Sequence, residues 1–311
     1  MRRVVAALLL ISASCGPSFA DLVVGLMPAL NSVPLVVAEE KGYFAAEGVR
    51  IELTLFASQL YREAALQSNA IDGSVSDLIN AIQGWNSGLG AVVTSATEGS
   101  FGLLASPQSS LSDLSDLSRL SGRKIQTGLL EASIVFYVSE RILERAGIDP
   151  ARLTLVPIVQ VPVRMEMLLA GKVEAACLPE PLATLAVERG AHRLGDSDIL
   201  GVTAGVLVFT RKALAEKPRE IAAFYRAYDR AVAEVNRKPE AFRAAIVSKC
   251  GLPPAVAGIM RIPRFRSAYL PGPEDVQDVA RWMAGKKLVA VLPRYADIVT
   301  SSFVGFDARN P

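Results

Sequence analysis

The chain has 311 residues, 51% hydrophobic and 21% charged, a composition that builds a core, differs from that of disordered chains, and allows two domains or one large one. Lys and Arg total 33 against 31 Asp and Glu, so no basic excess supports nucleic-acid binding. A single histidine, His192, excludes three-His zinc sites, His-Glu-x-x-His helices and two-His iron centres, and no metal site is expected.

The sequence opens Met1-Arg2-Arg3, continues through apolar Val4 to Ile11 and reaches Ser18-Phe19-Ala20. A charged start, a short apolar run and a small-x-small tripeptide read as a secretory signal over 1–20, cleaved after Ala20. The apolar run is far shorter than the roughly 20 residues a membrane-spanning helix needs, so a soluble exported protein is expected. Cys15 offers a rival, lipid-anchored N-terminus. Ser12 stands where such a signal places a bulky aliphatic residue, which favours simple cleavage. Cys177 and Cys250 then remain in an oxidising compartment, either as a disulfide or, the simpler assignment, as two separate apolar side chains.

From Leu22 to Phe209 short apolar runs alternate with helical patterns, the sequence of parallel sheets covered by helices. Strands are expected at Leu22 to Leu26, Val49 to Leu55, Ile71 to Val75, Ala91 to Thr94, Lys124 to Gln126, Leu153 to Val156, Val173 to Cys177 and Gly205 to Phe209. Ser133 caps a helix in which Ile134, Val138 and Ile142 recur every four residues and which Gly147 closes. After Phe209 only helices are expected: a long one opened by Pro218 and stopped by Pro239, and another near Asp275 to Met283. Ile71-Asp72-Gly73-Ser74-Val75 and Val173-Glu174-Ala175-Ala176-Cys177 share one pattern, each leading through an acid, Asp77 or Glu180, into a helix. Two similar α/β lobes follow from that duplication, with the ligand cleft between them at the carboxyl ends of the strands.

Pro34-Leu35-Val36-Val37-Ala38-Glu39-Glu40-Lys41-Gly42-Tyr43-Phe44 followed by Glu47-Gly48-Val49 resembles the opening of ABC-transporter substrate-binding proteins of the nitrate/sulfonate/taurine and thiamine-pyrimidine type. Leu117 to Ile125 with Gly122-Arg123-Lys124, Gly171 to Ala176 with Pro179-Glu180-Pro181-Leu182-Ala183, and Ala227 to Pro239 resemble further segments of that family in its order. The resemblance implies a two-lobed periplasmic binding protein fold (type II), each lobe a mostly parallel sheet flanked by helices. It places lobe 1 at 21–105 and 205–311 and lobe 2 at 106–204, closing like a hinge. It further implies a monomer that captures a small molecule and hands it to the permease subunits of an ABC importer, with no cofactor and no catalytic residues.

Candidate ligand contacts are Asn31 and Ser32 after the first strand, Ser58 and Tyr61 after the second, Asp77 after the third, and Glu180, which its flanking prolines aim in a fixed direction. The turn after Lys124 to Gln126 adds Leu129, Glu131 and Ser133, where relatives carry a Gly/Ser/Thr-rich stretch. Asn31, Ser32, Ser58 and Asp77 serve equally well as helix caps. Arg62 and Arg164 are expected on the surface, and His192 in a solvated loop. With Asp77, Glu131 and Glu180 near the cleft and no lysine there, the ligand is expected to be a neutral or amine-bearing organic molecule. An enzyme on the same fold, pyrimidine-forming or dehydratase, and a sensory binding protein are the alternatives. No nucleophile, base and orienting group assemble for the former. Intact mass of exported protein is expected to show a chain beginning at Asp21; a lipidated species beginning at Cys15 overturns that reading.

Overall fold

The five-residue apolar runs build two five-stranded sheets, seen in a computed structural model that describes residues 20–119, 122–201 and 204–305. The expected signal segment, Ala20 apart, lies outside the described residues. Among the described residues no helix is long and apolar enough to cross a membrane.

The first sheet contains β1 (Leu22–Leu26), β2 (Ile51–Leu55), β3 (Gly73–Asp77), β4 (Val92–Ala96) and β10 (Gly205–Phe209) in the order β2-β1-β3-β10-β4. The second contains β5 (Phe101–Ala105), β6 (Ile125–Leu129), β7 (Leu153–Pro157), β8 (Ala175–Pro179) and β9 (His192–Asp196) in the order β7-β6-β8-β5-β9. In each sheet one strand, β10 or β5, runs against its two neighbours, and the others share a direction. The duplicated segments occupy equivalent central places, β3 and β8, and every residue of both strands is buried. For β8 burial on both faces is what an unbroken apolar run dictates, whereas in β3 the buried Ser74 and Asp77 are satisfied by hydrogen bonds.

Eight strands fall where the sequence places them, with ends shifted by up to three residues. β5 and β9 do not follow from it. His192-Arg193-Leu194-Gly195-Asp196 buries only Leu194, so β9 has no apolar run to read. Phe-Gly-Leu-Leu-Ala carries no β-branched residue, and its strand character comes from the β8 and β9 partners on either side. Two differences follow. The family resemblance assigns 101–105 to the first lobe, whereas β5 is hydrogen-bonded into the second sheet; the chain leaves the first sheet through 97–100 and the second through 197–201. His192 is the half-buried first residue of β9 instead of a loop residue.

The helices used below are α1 (Val33–Glu40), α2 (Gln59–Gln67), α3 (Leu78–Asn86), α4 (Ile134–Arg145), α5 (Val161–Leu169), α6 (Leu182–Glu188), α7 (Pro218–Arg237) and α8 (Pro273–Gly285). As the sequence indicates, Ser133 caps α4 through a bond from Phe136 N, and Gly147 takes the left-handed φ of +72° that ends it. Pro218 opens α7, whose Ile221, Phe224, Tyr225, Tyr228, Val232 and Val235 are buried on one face against α1 and the first sheet. Phe224 stacks on Phe44 and meets Phe209 and Tyr225 edge-on, with centroids 5.6, 5.3 and 5.2 Å away. The Tyr225 hydroxyl shares a 2.6 Å hydrogen bond with Thr94 on β4. Cys177 and Cys250 are separate buried thiols, each pushed up to about 12 by burial. Phe224→Ala is expected to cost about 3–5 kcal/mol in urea unfolding, and Tyr225→Phe about 0.5–1.5 kcal/mol for the lost Thr94 bond.

Candidate functional site

Because both sheets turn strand ends toward the same gap, the chain segments that leave β1, β3, β7 and β8 meet there. The resulting cleft is narrow, with an internal volume of about 60 Å³. Two backbone bonds draw the lobes together around it: Val161 N, at the start of α5, donates to Ala57 O at 3.1 Å, and Leu30 N donates to Glu180 O at 3.0 Å.

The first lobe supplies Met27, Asn31, Gln59, Arg62, Ser76 and Asp77 to the cleft. Asp77 caps α3, accepting Asn80 N at 3.0 Å on Oδ1 and Asn80 Nδ2 at 2.7 Å on Oδ2. Arg62 on α2 is 3% exposed while Leu60 and Tyr61 beside it are 57% and 55% exposed. The charge points inward and the apolar groups outward, the reverse of ordinary burial. Its guanidinium donates to Glu63 Oε1 from Nη2 at 2.7 Å and from Nε at 3.0 Å, and lies 3.7 Å from Asp77 Oδ2. Two carboxylates therefore surround the cation on this wall.

The second lobe supplies a different electrostatic situation. Ile134 and Val135 from α4, Val159, Val161 and Pro179 make its wall apolar, and Arg164 of α5 is set among them. Arg164 is 3% exposed. Its Nη2 donates to Ile158 O at 2.8 Å and its Nη1 to Cys177 O at 3.2 Å. Nε has no hydrogen-bond partner, and among the described residues no carboxylate pairs with this guanidinium. Burial pushes its pKa down to about 10, which leaves it charged at neutral pH. Gly128 on β6 lets the stem pass, since a Cβ there would lie 3.0 Å from Ile158 Cδ1 and 3.3 Å from Arg164 Cγ.

Of the residues singled out in the sequence, Asn31 and Asp77 line this cleft. Asn31 Oδ1 is buried there without a partner. Ser32 is fully buried and bonds back to Met27, accepting from its N at 3.1 Å and donating to its O at 2.9 Å. Ser58 caps α2 through Leu60 N, and Ser133 caps α4. Leu129 is a core residue of β6 and Tyr61 projects into solvent. Glu131 lies exposed in a separate groove, so the turn after β6 reaches the cleft through Ile134 and Val135 instead. Glu180 faces another groove, where Oε1 is 2.9 Å from Arg193 Nη2 and Oε2 accepts Thr184 N at 3.0 Å; its neighbour Pro179 lines the cleft.

Arg62 and Arg164 correct the sequence expectation that both are solvated. Each helix, taken alone, gives no sign that its arginine faces the opposite lobe. The inverted Leu60-Tyr61-Arg62 order becomes informative only once the burial is known. Asp77→Ala, which removes a cap and a neighbour of Arg62, is expected to cost about 1 kcal/mol in thermal unfolding. Tyr61→Ser is expected to stay within about 0.5 kcal/mol of the parent.

Residues 16–250 match the family model described as the NMT1-like family. The alkanesulfonate-binding protein SsuA from Xanthomonas axonopodis pv. citri, solved bound to MOPS, is 20% identical over 92% of this chain and 99% of its own, with a TM-score of 0.75. A zinc-bound ligand-binding component of an ABC-type import system from Staphylococcus aureus is 17% identical over 91% and 97%, with a TM-score of 0.74. The periplasmic nitrate-binding protein NrtA from Synechocystis PCC 6803 is 15% identical over 75% and 67%, with a TM-score of 0.61. These likenesses show a shared periplasmic binding protein fold. No curated protein matches the chain in sequence. Among the described residues no group of three or more His, Cys, Asp and Glu side chains is placed to hold a metal ion.

Proposed function

The chain belongs to the NMT1-like family, and from that premise together with the interlobe cleft we propose that it is the periplasmic solute-binding component of an ABC importer, which closes on a small organic anion and delivers it to a membrane permease. The observation that carries the ligand class is Arg164. A buried cation without a counter-charge is costly, and an anion seated between the lobes supplies that charge. Arg62 approaches the same space from the other lobe with Asp77 and Glu63 already beside it, so Arg164 is the group that gains most.

This reading replaces the expectation of a neutral or amine-bearing ligand. That expectation placed both arginines in solvent and Glu131 and Glu180 in the cleft, and all four positions differ in the folded chain. The rest of the lining favours an aliphatic body. Met27, Ile134, Val135, Val159 and Val161 surround the space, and Phe101 is the aromatic ring among the residues that line it. One ring allows an edge or face contact but not a sandwich around a planar heterocycle. Enzymes on the same fold are the alternative reading; among the described residues the cleft lining is apolar side chains with Asn31, Gln59, Arg62, Ser76, Asp77 and Arg164, a set suited to holding a solute.

Calorimetric titration with short alkanesulfonates, alkyl carboxylates, nitrate and uncharged pyrimidines tests the proposal. Tight binding is expected only among the organic anions, and Arg164→Met is expected to weaken it by about 1.5–3 kcal/mol, the scale of hydrogen bonds to a charged group. Tight binding of an uncharged pyrimidine, or unchanged affinity in Arg164→Met, overturns the ligand class.

A further inference from the structure

Helix α8 is fastened to the first lobe. It packs on α3, and the chain beyond it returns to β4 through the bridge between Val93 and Val299. Helix α4 belongs to the second lobe, where it packs on β8 and β5. The two helices are joined across the lobe boundary by a reciprocal pair of carboxylates. Glu140 of α4, 2% exposed, accepts Trp282 Nε1 at 2.7 Å and Lys286 Nζ at 2.6 Å. Asp278 of α8 accepts the Tyr137 hydroxyl at 2.6 Å and Arg141 Nη2 at 3.0 and 3.1 Å.

Spacing explains why these groups meet. Tyr137 and Arg141 are four apart on one helix, and Asp278 and Trp282 are four apart on the other with Lys286 four further on at its C-cap, so each set lies on one face. The indole of Trp282 fills the space between them, edge-on to Phe136 and Tyr137 with centroids 5.6 and 5.3 Å away. Charge-assisted bonds of this kind are among the stronger ones. A buried carboxylate that loses its donors pays the full cost of desolvation. Separation of α4 from α8 would leave Glu140 in that state.

Two further placements give the contact a consequence. Ile134 and Val135, one turn before Tyr137 on α4, line the ligand cleft. The same helix packs on Ser197–Leu200, the segment that leads into the second crossing between lobes. The family match ends at residue 250, before α8 begins.

We propose that α8 is a strap from the first lobe that restrains rotation of the second, with Glu140, Asp278 and Trp282 as positioning residues that hold the α4 wall of the cleft without touching the ligand. The strap acts in the chain with or without solute.

The test uses the ligand-free full mature chain, so its failure is separable from failure of the solute-binding reading. Small-angle scattering and amide hydrogen exchange are compared between the parent, Trp282→Phe, Asp278→Ala and the double variant, with circular dichroism to confirm native secondary structure. The double variant is expected to show a larger radius of gyration and about tenfold faster exchange at 97–100 and 197–201. Trp282→Phe, which keeps the ring packing and loses only the N–H, is expected to move both readings in the same direction by less, and it carries the test if the double variant fails to fold. Asp278→Glu is expected to restore the parent scattering. Scattering and crossing-segment exchange identical to the parent in Trp282→Phe and Asp278→Ala overturn the proposal.

Discussion

The first lobe is completed by a strand that reaches it only after the chain has built the second. β10 sits between β3 and β4 in the first sheet although the chain reaches it only after building the second, and β5 enters the second sheet directly from β4. Both inserted strands run against their neighbours. The second sheet is whole after one crossing, but the first is whole only after the chain has crossed back, so the return crossing is fixed by the pairing of β10 with β3 and β4 and not by loop preference. Two short crossings at one edge of two sheets also aim the carboxyl ends of β1, β3, β7 and β8 at a common gap. The cleft is thus a result of topology before any side chain is chosen.

What the side chains add is unequal charge. The wall from the first lobe has a cation embedded between Glu63 and Asp77, whereas the wall from the second has Arg164 with carbonyl partners only. Backbone carbonyls orient a guanidinium and lessen its desolvation cost, but they bring no net charge. Gly128 and the apolar residues around Arg164 keep it in place. An arrangement that costs stability and is built with this much local support is characteristic of a binding group.

The fold was largely legible because it rests on local pattern. The strand runs, the Ser133 cap, the Gly147 stop and the Pro218 start are properties of contiguous residues, and they recur in the folded chain. β9 was not legible, because its partner β5 and not its own sequence makes it a strand. Of the cleft lining, Asn31 just after β1 and Asp77 at the end of β3 were legible, whereas the placements of Arg62, Arg164, Glu131 and Glu180 were not. For these four, the face of a short helix or turn that meets the other lobe decides burial. Sequence periodicity reports the face toward a helix's own sheet and is silent about a neighbour 100 residues away.

Closure is where these features act on one another. Apolar contacts cross between lobes on both sides of the gap: α1 and α7 share a cluster with α5 and α6, and α3 and α8 share one with α4. On the proposed reading those contacts and the α4–α8 bonds would favour the closed arrangement, while holding the unpaired Arg164 further from water would oppose it. A ligand shifts such an equilibrium only by its differential affinity for the two states. On the proposed reading, an anion removes the opposing cost and adds its own contacts, so it gains twice from closure. An uncharged molecule of the same shape gains only the contacts and leaves the guanidinium unpaired inside a drier site, where the penalty is larger. Selection by charge then does not require a dense ring of donors around the ligand. It follows from making closure itself depend on neutralising one buried group.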